Sequence, residues 1–158
     1  TLLKTLAQYS LPNKGTVEFE GISENIHQQI SFAAPYSELI EEFTLPELID
    51  FLVKLNYLNP SWDFNSFTAF IDLQPSESKF IKNYSSGMRQ KVKLGMALAS
   101  DRPILCLDEP TSNLDEAAKK WFYEALEGQR HKLILIASNE SEEINLCTEK
   151  LAMTDYKI

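Results

Sequence analysis

Residues 104–137 constrain the fold more than any other stretch. Ile104-Leu105-Cys106-Leu107 is a short apolar run that ends abruptly in Asp108-Glu109-Pro110. Residues 116–128 then space Trp121, Phe122, Ala125 and Leu126 along one side of a helix, with Gly128 at its end. A second apolar run, Lys132-Leu133-Ile134-Leu135-Ile136-Ala137, follows. Short apolar runs without polar alternation predict strands buried on both faces. Two of them joined by a crossover helix predict a βαβ unit, parallel and right-handed. Asp108 and Glu109 then emerge at the C-terminal rim of a parallel sheet, where open α/β folds bind their ligands. An acidic pair there suits two jobs, one carboxylate holding a hard cation and the other orienting a water. Taken alone, two such acids also suit a solvated loop.

A second feature precedes the first strand. Tyr84-Ser85-Ser86-Gly87-Met88-Arg89-Gln90-Lys91 opens a basic helix with small residues. Helix N-termini favour negative charge by roughly 0.3–1 kcal/mol, and small residues let backbone N–H groups approach an anion closely. The same residues also make an ordinary helix cap. A third feature, Ser112-Asn113-Leu114-Asp115, closes the loop after the acidic pair.

The other elements follow from periodicity. Residues 1–7 read as the middle of a helix without a cap before it. Thr16-Val17-Glu18-Phe19 alternates as a half-exposed strand closed by Gly21, and Ile30-Ser31-Phe32-Ala33-Ala34 predicts another strand. Leu48, Ile49, Leu52 and Leu55 mark a helix over 45–56. Asp63 is placed to cap a helix carrying Phe64, Phe67, Phe70 and Ile71, which reads as core packing. Residues 141–147 predict a short helix and 150–153 a terminal strand.

In this order and spacing, the serine-rich helix start, the strand with its acidic end and the polar loop resemble the nucleotide-binding domains of ABC-type ATPases. They are similar to that family's signature sequence, Walker B strand and D-loop. The resemblance implies an α/β fold: a P-loop NTPase-type parallel sheet core over 1–35 and 101–158, with an inserted helical subdomain over 36–100 that includes the signature. Thr1-Leu2-Leu3 resembles the residues directly after the Walker A loop, which would put Thr1 near the α-phosphate. None of Gly15, Gly21, Gly87, Gly95 or Gly128 is followed by Lys-Ser or Lys-Thr. A Walker A loop is therefore not hidden elsewhere in the chain. The implication is an ABC ATPase domain truncated at its N-terminus, with the first strands and phosphate loop preceding Thr1. Such a piece is expected to be inactive alone.

Residue by residue, the resemblance assigns Asp108 to Mg²⁺ and Glu109 to the attacking water. Asn139 stands where the family carries a histidine at the γ-phosphate. Ser85, Ser86, Gly87, Met88 and Asp115 join Thr1 as nucleotide-binding positions, with ATP and Mg²⁺ as cofactors. The sequence departs from the family at Ser86 (usually glycine) and Met88 (usually glutamine). Pro35 stands where a glutamine contacts magnesium and the water, and Asn139 lacks the proton and charge of histidine. His131, which precedes its strand, and His27 read as surface residues.

The function implied is the ATP-hydrolysing subunit of a bacterial ABC transporter. Two copies would meet head to tail, and the domain would lie on the cytoplasmic face of the membrane, bound to a separate transmembrane permease. The docking site expected for that permease lies in the helical subdomain. A non-catalytic or slow nucleotide switch, motivated by Pro35 and Asn139, is the second reading. A soluble ABC protein acting on ribosomes or DNA is the third. The net charge of -8 argues against broad attraction to nucleic acid. Cys106 and Cys147 show no metal-ligand spacing and read as buried thiols.

Overall fold

The structure is a computed structural model and describes residues 2–20 and 25–156. Thr1 and Gly21 lie outside the described residues. Three strands, β1 (Ile30–Ala33), β2 (Ile104–Asp108) and β3 (Leu133–Ala137), form a parallel sheet in the order β1-β2-β3. Ile30 pairs with Ile104 and Ala33 with Leu107, and Asp108 pairs with Ala137. β2 is central and buried on both faces, as its unbroken apolar run predicts. Leu105 and Leu107 enter one core with Leu94, Leu98, Phe122 and Leu126. Ile104 and Cys106 enter the opposite core with Leu3, Ala7, Ile26 and Ile30. Strand periodicity thus divides four consecutive apolar residues between two layers, each buried leucine or isoleucine contributing about 1.5–3 kcal/mol.

The helix α5 (Glu116–Glu127) connects β2 to β3 and buries Ala118, Phe122 and Leu126. Asp115 caps it by accepting from the Ala118 N–H at 2.8 Å. The chain between β1 and β2 folds as three helices: α2 (Leu45–Lys54), α3 (Phe64–Phe70) and α4 (Ser86–Ala99). Their shared core holds Leu45, Leu48, Ile49, Leu52, Phe67, Ile71, Ile81 and Val92. α3 starts at Asp63, whose Oδ1 accepts from the Ser66 N–H at 2.7 Å while Ser66 Oγ accepts from the Asp63 N–H at 2.9 Å. At Gly95 an added Cβ would overlap Ile71 Cγ2, so α4 passes the end of α3 at a distance only glycine permits. The helix α1 (Leu2–Leu6) opens the described chain and sends Leu3 into the sheet's second core. The helix α6 (Ser141–Leu146) follows β3.

Three expectations are corrected. Residues 16–19 form no strand: Phe19 packs on the second core, but the backbone pairs with nothing among the described residues. Residues 150–153 likewise form no strand, and a 3₁₀ turn, Met153–Tyr156, takes over there. Alternation supplies a suitable face, yet a strand exists only through hydrogen bonds to a neighbour. The third correction is β3, which is half-exposed rather than buried, with Leu133 exposed; β1, at the other end of the sheet order, is the more buried of the two outer strands.

Candidate functional site

The C-terminal rim of the sheet gathers the chemistry. Asp108 is the last residue of β2 and is half-buried; Glu109 follows it and is exposed. Glu109 adopts φ 42°, a left-handed conformation that costs a non-glycine residue roughly 1–3 kcal/mol. The surroundings impose it. The Glu109 N–H donates to the Ala137 carbonyl at 2.8 Å, and the Glu109 carbonyl accepts from the Ser112 N–H at 3.1 Å. The chain therefore turns sharply at the rim and leaves the side chain outside.

Asn139 lies just past the end of β3, next to β2, so parallel register brings it to Glu109. Its Nδ2 donates to Glu109 Oε1 at 3.3 Å. Tyr36, beyond the end of β1, reaches the same rim from the other side, and its hydroxyl donates to Asp108 Oδ2 at 2.5 Å. Desolvation, this hydrogen bond and the Asp108 charge all push the Tyr36 hydroxyl above its usual range. It stays protonated and remains a donor.

The start of α4 approaches the loop after Glu109. Ser85 caps the helix, its Oγ accepting from the Met88 N–H at 3.1 Å. Ser85 and Ser86 are exposed and Gly87 is half-buried. A Cβ added at Gly87 would come within 3.4 Å of the Asn113 carbonyl, so helix start and polar loop are close neighbours. Gln90 is buried and donates from Nε2 to the Pro110 carbonyl at 3.0 Å. Met88 is half-buried, with its side chain packed against the helical core, and its N–H donates to Ser85 Oγ. Asp115 uses one carboxylate oxygen on its own helix. No hydrogen bond joins Ser85 or Ser86 to Asp108 or Glu109 among the described residues, and Thr1 lies outside them.

A model of the family described as ABC transporter matches residues 1–112. The chain belongs to the ABC transporter family. It is similar to the uncharacterized ABC transporter ATP-binding protein YybJ of Bacillus subtilis, with 29% identity covering 99% of this chain and 75% of YybJ. It is also similar to ABC transporter A family member 7 of Dictyostelium discoideum, at 24% identity over 97% of this chain but only 19% of that protein. Among solved structures, it shares the fold of the ATP-binding cassette MJ0796, a dimer in a post-hydrolysis state bound to ADP and phosphate. That match has TM-score 0.73 and 19% identity, and covers 92% of this chain and 70% of the other. The chain thus spans three quarters of one relative and a fifth of another. ABC transporter membership supports ATP hydrolysis by the full-length protein and gives ATP with Mg²⁺ as the family's ligands.

In this ABC transporter domain the donor set can be tested against Mg²⁺. The ion takes oxygen ligands octahedrally and is commonly held by one or two carboxylates plus phosphates and waters. Asp108 fits that role as a single rim carboxylate. Among the described residues no cluster of three or more His, Cys, Asp or Glu could hold a metal by itself, so phosphate oxygens would have to complete the shell.

Three residues at the site escape sequence reasoning. Tyr36 and Gln90 carry no signal for the roles they play, one standing at the start of the helical stretch and the other within a basic helix. Glu143 is the third. It is fully buried on α6 and accepts from the Thr111 N–H at 3.0 Å through Oε1, fixing the loop beside Glu109. Its Oε2 has no hydrogen-bond partner among the described residues. As one acid among several in 140–143, it looks solvated in sequence.

Proposed function

We propose that this domain binds and hydrolyses ATP as the motor of an ABC transporter, with Glu109 as the group that polarises the attacking water. The observation that carries the reading is the meeting of Asp108, Glu109 and Asn139 at one sheet rim. Asp108 would hold Mg²⁺, which when bound neutralises charge developing on the phosphates. Glu109, exposed and turned outward, accepts a proton from water. Asn139 steadies the Glu109 carboxylate and offers its amide to a phosphate oxygen.

Ser85, Ser86 and Gly87 open a 14-residue helix and stand exposed or half-exposed. Donors there suit the γ-phosphate of a nucleotide held by a second copy, and Asp115 at the neighbouring loop suits the same interface. Thr1 would lie near the α-phosphate. Of the solved relatives, MJ0796 is described as a dimer with ADP and phosphate, which supports the two-copy arrangement. A separate transmembrane permease would take the force. Among the described residues no helix is long and apolar enough to cross a membrane. The domain would then sit on the cytoplasmic face, held through that permease. The helical insertion, with Phe51, Leu55 and Phe80 exposed, is the proposed docking face.

Replacing Glu109 with glutamine in the full-length protein tests the role of Glu109. Steady-state turnover falls by about 10²–10⁴-fold while ATP binding persists. Unchanged turnover would remove Glu109 from the mechanism and favour the second reading, a slow nucleotide switch. That reading draws on Pro35, which has no donor, and on the neutral amide of Asn139.

A further inference from the structure

One side chain at the rim belongs to none of the motifs. Tyr36 lies just beyond β1 and meets Asp108 across 72 residues of sequence. It is half exposed, yet its ring is held from several directions. Lys4 Nζ, from α1, lies over its face, 3.8 Å from the centroid. The Phe32 ring, from β1, lies 6.4 Å away and tilted. The turn that carries it is fixed as well: Lys93 Nζ, from α4, donates to the Pro35 carbonyl at 2.6 Å, and the Ser37 N–H donates to the Ala34 carbonyl at 3.1 Å. Two helices and a strand converge to hold one phenol against one carboxylate.

A carboxylate that binds a cation through one oxygen gains when the other is hydrogen-bonded, because the group can no longer rotate away. Such outer partners commonly contribute 10–100-fold in metal affinity. Oδ2 of Asp108 accepts from Tyr36, which leaves Oδ1 for the cation. Pro35, the neighbouring residue, can donate from neither backbone nor side chain.

We propose that Tyr36 is a positioning residue, whose hydroxyl fixes the Asp108 carboxylate so that its second oxygen meets the divalent cation accompanying the nucleotide. This rests on the reading of Asp108 as the metal carboxylate. The phenol does not touch the reacting atoms and acts through Asp108.

The test uses Mn²⁺ as the probe, titrated by electron paramagnetic resonance into the full-length protein saturated with ADP. Tyr36→Phe deletes a single oxygen and keeps the ring beneath Lys4. The Mn²⁺ dissociation constant of Y36F rises by about tenfold or more, while metal-free ADP affinity and melting temperature stay unchanged. Asp108→Asn raises the constant further. An unchanged constant in Y36F overturns the proposal, and a lowered one makes Tyr36 a competitor of the cation instead. If D108N weakens Mn²⁺ and Y36F does not, only this inference fails. If D108N has no effect, the assignment of Asp108 fails and takes the inference with it.

Discussion

Glu109 is held in a conformation that glycine adopts freely, so stability conflicts with the proposed function at this one residue. Glu109→Gly should raise unfolding free energy by up to about 1 kcal/mol in denaturant titration while removing the carboxylate proposed to polarise water. A destabilised variant would show that the left-handed turn carries no strain. Cys106 presents a different case. Its thiol is fully buried, and burial pushes its pKa up to about 12. The folded state therefore holds this proton more tightly than the unfolded chain, whose cysteine titrates near 8.5. The stability tied to the neutral thiol is complete below about pH 8.5 and is lost as pH rises toward 12. Cys147, half-buried, should react with iodoacetamide first, and Cys106 only on unfolding; equal rates in the folded protein would contradict this. At this scale the sequence revealed Asp108 and Glu109, because both acids terminate an apolar strand. It did not reveal Tyr36 or Glu143, whose partners lie 72 and 32 residues away. Contacts of that span depend on the finished topology, which no local pattern encodes.

Among the elements, helices were legible and unpaired strands were not. α2, α3, α4 and α5 form where apolar spacing and capping residues place them, since each is stabilised within its own segment. Residues 16–19 and 150–153 carry strand-like sequence and remain without partners among the described residues, because a strand requires a neighbour's backbone. The caps of α2 and α3 also set a pH response. The Thr44 backbone and side-chain hydrogen bonds lower the pKa of Glu47, and the Ser66 backbone and side-chain hydrogen bonds lower that of Asp63. Stability from both is present above the ordinary carboxylate pKa and is lost as pH falls through the lowered folded values. Helical signal should therefore weaken in the insertion first on acidification, followed by amide exchange in 45–70. Protection lost first in the sheet would contradict it. α4 is tied to the acidic loop by Gln90. Gln90→Ala leaves the carbonyl of buried Pro110 unpartnered and should cost about 1–3 kcal/mol, with turnover falling as the helix start loosens from the loop. Unaltered stability would mean that water replaces the amide.

For the molecule as a whole, the proposed function makes the sheet rim and the start of α4 two halves of a nucleotide site in one chain. Asp108, Glu109 and Asn139 form one half; Ser85, Ser86 and Gly87 form the other, with no hydrogen bond from either serine to the acidic pair among the described residues. On the proposed function, a two-fold pair of such chains would supply each site with one half from each copy. Mixing two full-length variants, each disabled in a different half, tests this most directly. Glu109→Gln inactivates the water-polarising half, and Gly87→Glu inactivates the helix start by placing negative charge where phosphate would bind. Each variant alone should turn over ATP at background rate. In an equal mixture half the dimers are mixed and each has one intact site, so turnover should recover to roughly a quarter of wild type. A mixture that stays at background would contradict the shared site.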